Sequence, residues 1–353
     1  NEKVNIAFIG IGQRAEEDAR FFIKTGMVNV VAFCDVDTAQ GPKLRAEFPQ
    51  VPFYQDFRVM FEKMGAKIDA VCVGTPDHTH FPICMHAAAL GKHFYVEKPL
   101  THTFQECELL MAAERKYKIA AQMGNQGHSG DNFYQFKAWT EAGIIKDVTR
   151  IDAFMNSPRR WHPWKFDAYQ TGEKKPDSID WEIWTGPAKE HPFSQYLHPG
   201  NWRSWFDYGN GAFGDWGPHI LDTCHRFLKL GLPSEIEALK IDGRRKDIFP
   251  MSSTIRFAFP EREGMPACDV IWRDGVDNPP PLPPEMEGMK IPKNGKIIYS
   301  KNLVFTGETH EKTLSIVPKV KAELCGPTRP DYKAAETRSH CVYILQSCKG
   351  ETQ

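Results

Sequence analysis

Near the amino end, the stretch VNIAFIGIGQRAEEDARFF joins an apolar run directly to a glycine-rich turn and then to a helix-like segment. Val4 to Ile9 read as an apolar strand, and Gly10, Gly12 and Ala15 follow as G-x-G-x-x-A around Gln13 and Arg14, with Arg14 either a bidentate clamp on a pyrophosphate or a solvent-facing side chain. In such a turn the first glycine permits the tight bend and the second lets a pyrophosphate approach the backbone. A small third residue lets the helix pack close to the strand. The phosphate then lies at a helix N-terminus, where unpaired N–H groups and the helix dipole favour an anion. The next apolar run, VNVVAFCD, ends on Asp35, 23 residues after Gly12, where a carboxylate accepts from the adenosine ribose hydroxyls; its plainer role would be a turn cap. Asp35 would repel a 2′-phosphate and Val36 brings no positive charge, so NAD is expected rather than NADP.

Strand and helix patterns keep alternating through IDAVCVGTP, a helix from about Phe81 closed by Gly91, KHFYVEKP, a helix opened by the capping box Thr103 and Glu106, and KIAAQMGNQG. Alternation of this kind predicts a doubly wound parallel α/β sheet over residues 1–126, with ligands at the carboxyl ends of its strands. The segments GTPDHTH, EKP and GNQG should therefore converge on the dinucleotide, and Asn125 and Gln126 join the candidate cofactor residues.

Charge is nearly balanced, 44 basic against 45 acidic residues, which steers the chain toward neither nucleic acid nor an anionic membrane and suits a small ligand. No run approaches the ~18 to 20 apolar residues of a membrane-spanning helix. Nine cysteines, several inside apolar runs and none in C-x-x-C, read as buried thiols and favour a reducing compartment. The chain opens on Asn1, so a removed leader stays open. The cytoplasm is favoured slightly, with the periplasm after folded export as the alternative.

Beyond Gly127 the alternation stops. The runs VTRIDAFM, EIEALKID, SSTIRFAF and ACDVIW, separated by proline- and glycine-rich loops, predict a largely antiparallel sheet with added helices over 127–353. The proline-dense VDNPPPLPPEMEGMKIP reads as an extended surface loop. In GDWGPHILDTCHRFLKLG, Asp215, His219, Asp222 and Arg226 fall at i, i+4, i+7 and i+11 and share one helical face. By pattern alone that stripe is either functional or a solvated face with Asp215 as N-cap.

Seven of nine tryptophans lie between Trp161 and Trp216, six of them in the pairs WHPW, WEIW and WRSW. Two readings stay open: aromatic platforms for a sugar ring, with Trp161, Trp164, Trp202 and the adjacent Arg203 as substrate candidates, or the private core of a strand-poor insertion. His162, His191, His198, His219 and His225 share the region with three aspartates but lack H-x-H or H-E-x-x-H spacing, so no metal is expected.

With G-x-G-x-x-A, Thr75-Pro76 followed by His80, and Glu97-Lys98-Pro99, residues 3 to 126 resemble the glucose-fructose oxidoreductase / inositol dehydrogenase (Gfo/Idh/MocA) family. The resemblance implies a Rossmann domain followed by an α+β substrate domain, with Thr75, Pro76, His80 and Glu97 at the cofactor. It makes Lys98 catalytic and in contact with both cofactor and substrate. It carries Asp215 and His219 over as the catalytic pair of the helix DWGPH, His219 as general base and Asp215 orienting it. The implied activity is oxidation of a secondary hydroxyl of a sugar, glycoside or cyclitol. The implied alternative is NAD-dependent glycoside cleavage through transient oxidation, elimination, hydration and re-reduction. A non-enzymatic dinucleotide sensor would leave Lys98, Asp215 and His219 without a task. The resemblance further implies a homodimer or homotetramer formed through the sheet of the second domain. It also implies a carboxyl-terminal return toward the first domain, so the end at HCVYILQSCKGETQ leaves open a chain short of its native terminus.

Overall fold

The computed structural model describes residues 3–324 and 340–350. They form two units: residues 3–124, 168–210 and 340–350, and residues 125–167 with 211–324.

The first unit is built on β1 (Val4–Ile9), β2 (Val28–Cys34), β3 (Phe53–Tyr54), β4 (Ala70–Val73), β5 (His93–Glu97) and β6 (Ala121–Gly124). All pair parallel in the order β3-β2-β1-β4-β5-β6, the doubly wound Rossmann order. The connections carry α1 (Arg14–Lys24), α2 (Pro42–Glu47), α3 (Phe57–Met64), α4 (Asp77–Ala89) and α5 (Phe104–Tyr117). Apolar residues cover both sheet faces, as a parallel sheet requires. One face packs on Met60, Phe61, Ile83, Cys84 and Leu110, the other on Phe22, Leu44 and the late residues Cys341, Ile344 and Leu345. The capping box of α5 is formed, Thr103 N–H donating to Glu106 Oε2 at 2.9 Å and Glu106 N–H to Thr103 Oγ1 at 3.3 Å. α4 begins at Asp77 rather than near Phe81, and Pro82 lies inside it.

Residues 168–210 leave the second unit and dress the first. Ile179 bridges Asp37, Thr38 N–H donates to Ser178 O at 2.9 Å, and Asp180 N–H donates to Val36 O at 2.9 Å. This insert has one short α-helix, α7 (Trp181–Thr185), and a 3-10 turn at Asn201–Ser204, and is otherwise held by stacked rings: Trp181 on Trp184 at 4.4 Å, and Tyr169 against His191 at 3.6 Å and Trp205 at 4.2 Å. For these aromatics the private-core reading prevails.

In the second unit β7 (Val148–Met155), β8 (Glu235–Asp242), β9 (Ser252–Phe259), β10 (Cys268–Asp274), β11 (Asn294–Ser300), β12 (Val304–Gly307) and β13 (Ser315–Val317) order as β13-β12-β11-β7-β10-β9-β8. Only β7 and β10 pair parallel. α6 (Asp131–Glu141) and α8 (Gly211–Phe227) cover one face through Phe136, Trp139, Cys224 and Leu228; α9 (Lys319–Leu324) follows β13. The other face carries a smaller apolar cluster, Phe154, Met286, Ile297, Val304 and Val317, beside polar residues, Arg150 on Asp152 and Arg256 on Asp269, each at 3.0 Å.

The division differs from the expected 1–126 and 127–353. The chain changes unit at Gly124 and Asn125, within two residues of the expected boundary. The insert and α10 (His340–Cys348) belong to the first unit because their apolar side chains are buried there. α10 supplies the carboxyl-terminal return to the first domain. The eight described cysteines are all free thiols, and no described helix is long and apolar enough to cross a membrane.

Candidate functional site

A cavity of about 520 Å³ lies wholly within the first unit, over the carboxyl ends of β1, β2 and β4. Its floor is the predicted turn. Gly10 adopts φ 80°, and a side chain there would run into the Gly74 carbonyl at 2.9 Å. Gln13 holds a left-handed φ of 48°, a conformation rarely kept by a non-glycine residue unless its surroundings impose it. Ala15 abuts Gly74 so closely that a Cβ on Gly74 would lie 2.5 Å from the Ala15 Cβ.

Asp35 closes the β2 end of the cavity. Its Oδ2 accepts from Ile11 N–H at 2.9 Å and its Oδ1 from Asp37 N–H at 3.0 Å. Burial pushes its carboxyl up to about 6 against those donors, so at neutral pH it is a carboxylate with lone pairs left for ribose hydroxyls. These features fit NAD: a cradle a side chain would fill, and an anchored carboxylate beyond it.

The opposite wall is the insert, through Glu182, Trp184, His198, Trp202 and Arg203. His198 Nε2 lies 3.3 Å from Asp37 Oδ2, and the His78 Nε2–H donates to the Trp184 carbonyl at 2.9 Å, pinning α7 to α4. Trp202 and Arg203, sequence candidates for the substrate, line this cavity. Trp161 lies in the second unit, 2% exposed, its indole N–H spent on Pro250 O at 2.9 Å, which makes it a core residue. Trp164 is half-buried and stacked on Phe166.

Other sequence candidates take different tasks. The Arg14 guanidinium, expected at the pyrophosphate, reaches Glu17 at 2.9 Å, Asp18 at 2.7 Å and Glu97 at 3.5 Å. His80 is 1% exposed with Nε2 2.8 Å from Thr75 O and Nδ1 2.8 Å from Pro99 O, so it staples the Thr75-Pro76 turn, which lines the cavity, to the E-K-P segment. Lys98 is half-buried just past β5, its N–H donating to Glu97 Oε2 at 3.2 Å.

In the second unit, α8 starts at Gly211, so Asp215 lies a turn inside it and is not its N-cap. Asp215 pairs with Arg159, whose guanidinium lies about 6 Å from the ring centroids of Trp161 and Trp216. The His219 imidazole is held by Asn125, whose amide geometry settles the tautomer. The Pro218 carbonyl can only accept, so the Asn125 Nδ2 faces it at 3.1 Å and Oδ1 faces His219 Nδ1 at 3.2 Å. Nδ1 therefore carries the hydrogen and Nε2 the lone pair. Asn125, a sequence candidate for the cofactor, orients the imidazole, the task expected of Asp215. Gln126, beside it, is half-buried. His310 stacks on His219 with centroids 4.0 Å apart, and Asp222 meets His128 at 2.9 Å.

Arg159, Asn125's orienting role, His310 and the insert wall were missed by sequence reasoning. Asn125 alone had a signal, since GNQG places it one residue past a strand end, where polar side chains collect.

The model of an oxidoreductase family with an NAD-binding Rossmann fold matches residues 4–125, and the family's C-terminal α/β domain matches residues 146–271. A glycosyl hydrolase family 109 protein of Shewanella pealeana is 27% identical over 47% of this chain and 38% of its own length. An α-N-acetylgalactosaminidase of Shewanella oneidensis is 30% identical over 45% of this chain and 36% of its own. The chain thus spans well under half the length of these curated relatives. Among solved structures, the WlbA dehydrogenase of Bordetella pertussis, in complex with NADH and UDP-GlcNAcA, superposes with a TM-score of 0.68 at 13% identity. That match covers 99% of this chain and 89% of that one, and at this identity it speaks for the fold.

Proposed function

Because this chain belongs to the Gfo/Idh/MocA oxidoreductase family, we propose that it oxidises a secondary hydroxyl of a sugar, glycoside or cyclitol with NAD. The observation that carries the reading is His219, a buried imidazole locked by Asn125 with its lone pair on Nε2, in a chain whose other unit holds a dinucleotide-shaped cleft. Gly10, Gly12 and Gln13 would cradle the pyrophosphate, Asp35 the adenosine ribose, and Thr75 and Pro76 the wall beside it. NAD, when bound, supplies the acceptor for hydride.

His219 Nε2 takes the hydroxyl proton, and the Asn125 carbonyl oxygen stabilises the imidazolium through Nδ1–H. Lys98 polarises the substrate oxygen by its positive charge. The Asp215 carboxylate and Arg159 neutralise one another beside two indole rings, offering hydroxyl groups both a donor and an acceptor.

A second reading, net glycoside cleavage with the hydride returned, is favoured by the insert wall, which encloses the cofactor cavity and would retard exchange, and by the names of the curated relatives. An aryl α-N-acetylgalactosaminide separates the two. Aryl alcohol released without added NAD supports cleavage, and NADH accumulating in proportion to sugar consumed supports dehydrogenation. Lys98→Met should abolish turnover on either route while leaving NAD binding intact; near-normal turnover would sink the assignment.

A further inference from the structure

His310, in the second unit, lies in the loop between β12 and β13, exposed, with a left-handed φ of 56°. Glycine and asparagine take that conformation more readily than histidine. An exposed ring adds little to a core, so the choice of histidine needs another reason. Its contacts supply one. The His310 ring lies on the His219 ring with centroids 4.0 Å apart and planes 20° from parallel, and the His310 N–H donates to the His219 carbonyl at 3.3 Å. Trp216 stands edge-on to both rings, 5.7 Å from His310 and 6.4 Å from His219. Thr309 Oγ1 and His310 Nδ1 are 2.7 Å apart, a bond that steadies the covering ring. The backbone beneath is fixed as closely. A Cβ on the buried Gly127 would lie 3.2 Å from the His310 carbonyl carbon and oxygen, and one on Gly130 would lie 2.5 Å from Glu311 Cγ. The segment after β6 therefore grips both histidines, His219 through the Asn125 amide and His310 through the bare Cα of Gly127.

The two contacts on the His219 ring do different things. The outer torsion of a histidine is broad and roughly two-fold, so the side chain alone does not fix the plane of its ring. The Asn125 bond sets the tautomer and holds one atom, Nδ1, about which the ring can still rock. A flat neighbour on the ring face removes that rocking. We propose that His310 is a positioning residue: by stacking on His219 it fixes the plane in which the Nε2 lone pair meets a substrate hydroxyl. This rests on the reading of His219 as general base. A proton passes between heavy atoms only along a nearly straight hydrogen bond, so a lone pair that swings out of line is unproductive for part of the time. The stacked face is also closed to substrate, which leaves the ring edge as the approach.

His310→Asn removes the ring and puts in its place a residue at ease with the left-handed backbone, so the variant should fold and melt with the parent. The two full chains, isotope-labelled at the histidine rings, are compared by NMR without cofactor or substrate, the His219 signals being those missing from His219→Gln. In His310→Asn the carbon-bound ring protons of His219 should lose the shielding of the stacked neighbour and move downfield. His310→Phe, which restores a flat ring, should bring them back. His219 signals that stay in place in His310→Asn overturn the positioning role. Should that variant misfold, Gly127→Ala, whose methyl presses on the His310 carbonyl, should displace the same signals, and their constancy overturns the role equally. Turnover of the aryl α-N-acetylgalactosaminide with NAD supplied, followed by aryl alcohol and by NADH, separates this inference from the reading beneath it. In His310→Asn, kcat should fall roughly ten- to hundredfold with KM little changed, and it should recover in His310→Phe. Parent-like kcat in His310→Asn while His219→Gln is inactive overturns the inference and leaves the base standing. Parent-like kcat in both variants refutes the base, and the inference with it.

Discussion

Gly74→Ala probes the closest helix–strand approach of the first unit. The Gly74 backbone lies outside the left-handed region, so its conformation admits alanine and the effect is steric alone. The new methyl would lie 2.5 Å from the Ala15 Cβ and 3.0 Å from its Cα. Neither is the end of a flexible side chain, and Ala15 is 2% exposed, so the helix or the β4 loop must shift. Overpacking of this kind costs about 1–3 kcal/mol. For a domain of this size that lowers Tm by roughly 2–10 °C. Because α1 carries the cofactor turn on its first residues, the same shift should weaken NAD binding. Ala15→Gly alone should cost about 0.5–1 kcal/mol through helix propensity. Combined with Gly74→Ala it removes the closer clash and leaves the 3.0 Å approach to the residue-15 Cα, so the double variant should regain most of the Tm and of the NAD affinity, measured by fluorescence, that Gly74→Ala loses. The coupling should therefore be favourable by about 1–3 kcal/mol. Additive losses, or a Gly74→Ala protein that melts with the parent, would refute the packing account.

NAD affinity should fall below about pH 6 as Asp35 takes up a proton, by at most tenfold per pH unit, while Asp35→Asn, weaker throughout, should show no such limb; calorimetric titration from pH 5 to 8 decides it. Lys296 is fully buried, its Nζ donating to Ile220 O at 2.8 Å, and burial lowers its affinity for protons. The unfolded chain then binds the extra proton, so parent stability rises with pH toward the ordinary lysine value; Lys296→Met should be at least as stable at pH 7, with its advantage shrinking by pH 10 in urea melts. Trp202→Ala opens the insert wall and should lower the fraction of protein purified with NAD(H), read by chromatography of the heat-released nucleotide, whereas unchanged retention would assign the tryptophan to packing alone. A homodimer or homotetramer is expected by light scattering at micromolar concentration, and a monomeric mass rejects it.

The doubly wound sheet was legible because its signals are local. An apolar run, two glycines and a small residue at set spacing dictate a turn whatever surrounds them, and Thr103 with Glu106 dictates a helix start. The strands VTRIDAFM, EIEALKID and SSTIRFAF were legible for the same reason. What stayed hidden depends on distant partners. Asp215 looked like a cap because nothing in the sequence says that α8 starts at Gly211. Arg14 looked like a phosphate clamp because Asp18 and Glu97, far apart in sequence, compete for its guanidinium. The tryptophan pairs announced a cluster without announcing where it packs. That was decided by backbone bonds from Thr38 to Ser178 and from Asp180 to Val36, which no spacing rule encodes.

Cys341, Ile344 and Leu345 share one core with Val4, Ile6 and Phe8, and this has a consequence for synthesis on the ribosome. An amino-terminal domain ordinarily closes while the rest of the chain is still being made. Here the first strand of the sheet shares a core with a helix that follows the second unit. One sheet face, covered by α1 and α2 alone, therefore waits incomplete through the translation of the whole second unit. Nascent chains arrested before α10 should expose the Ile6 and Phe8 face to chaperones and proteases, and release of that helix, rather than completion of β6, should mark the moment the unit becomes resistant.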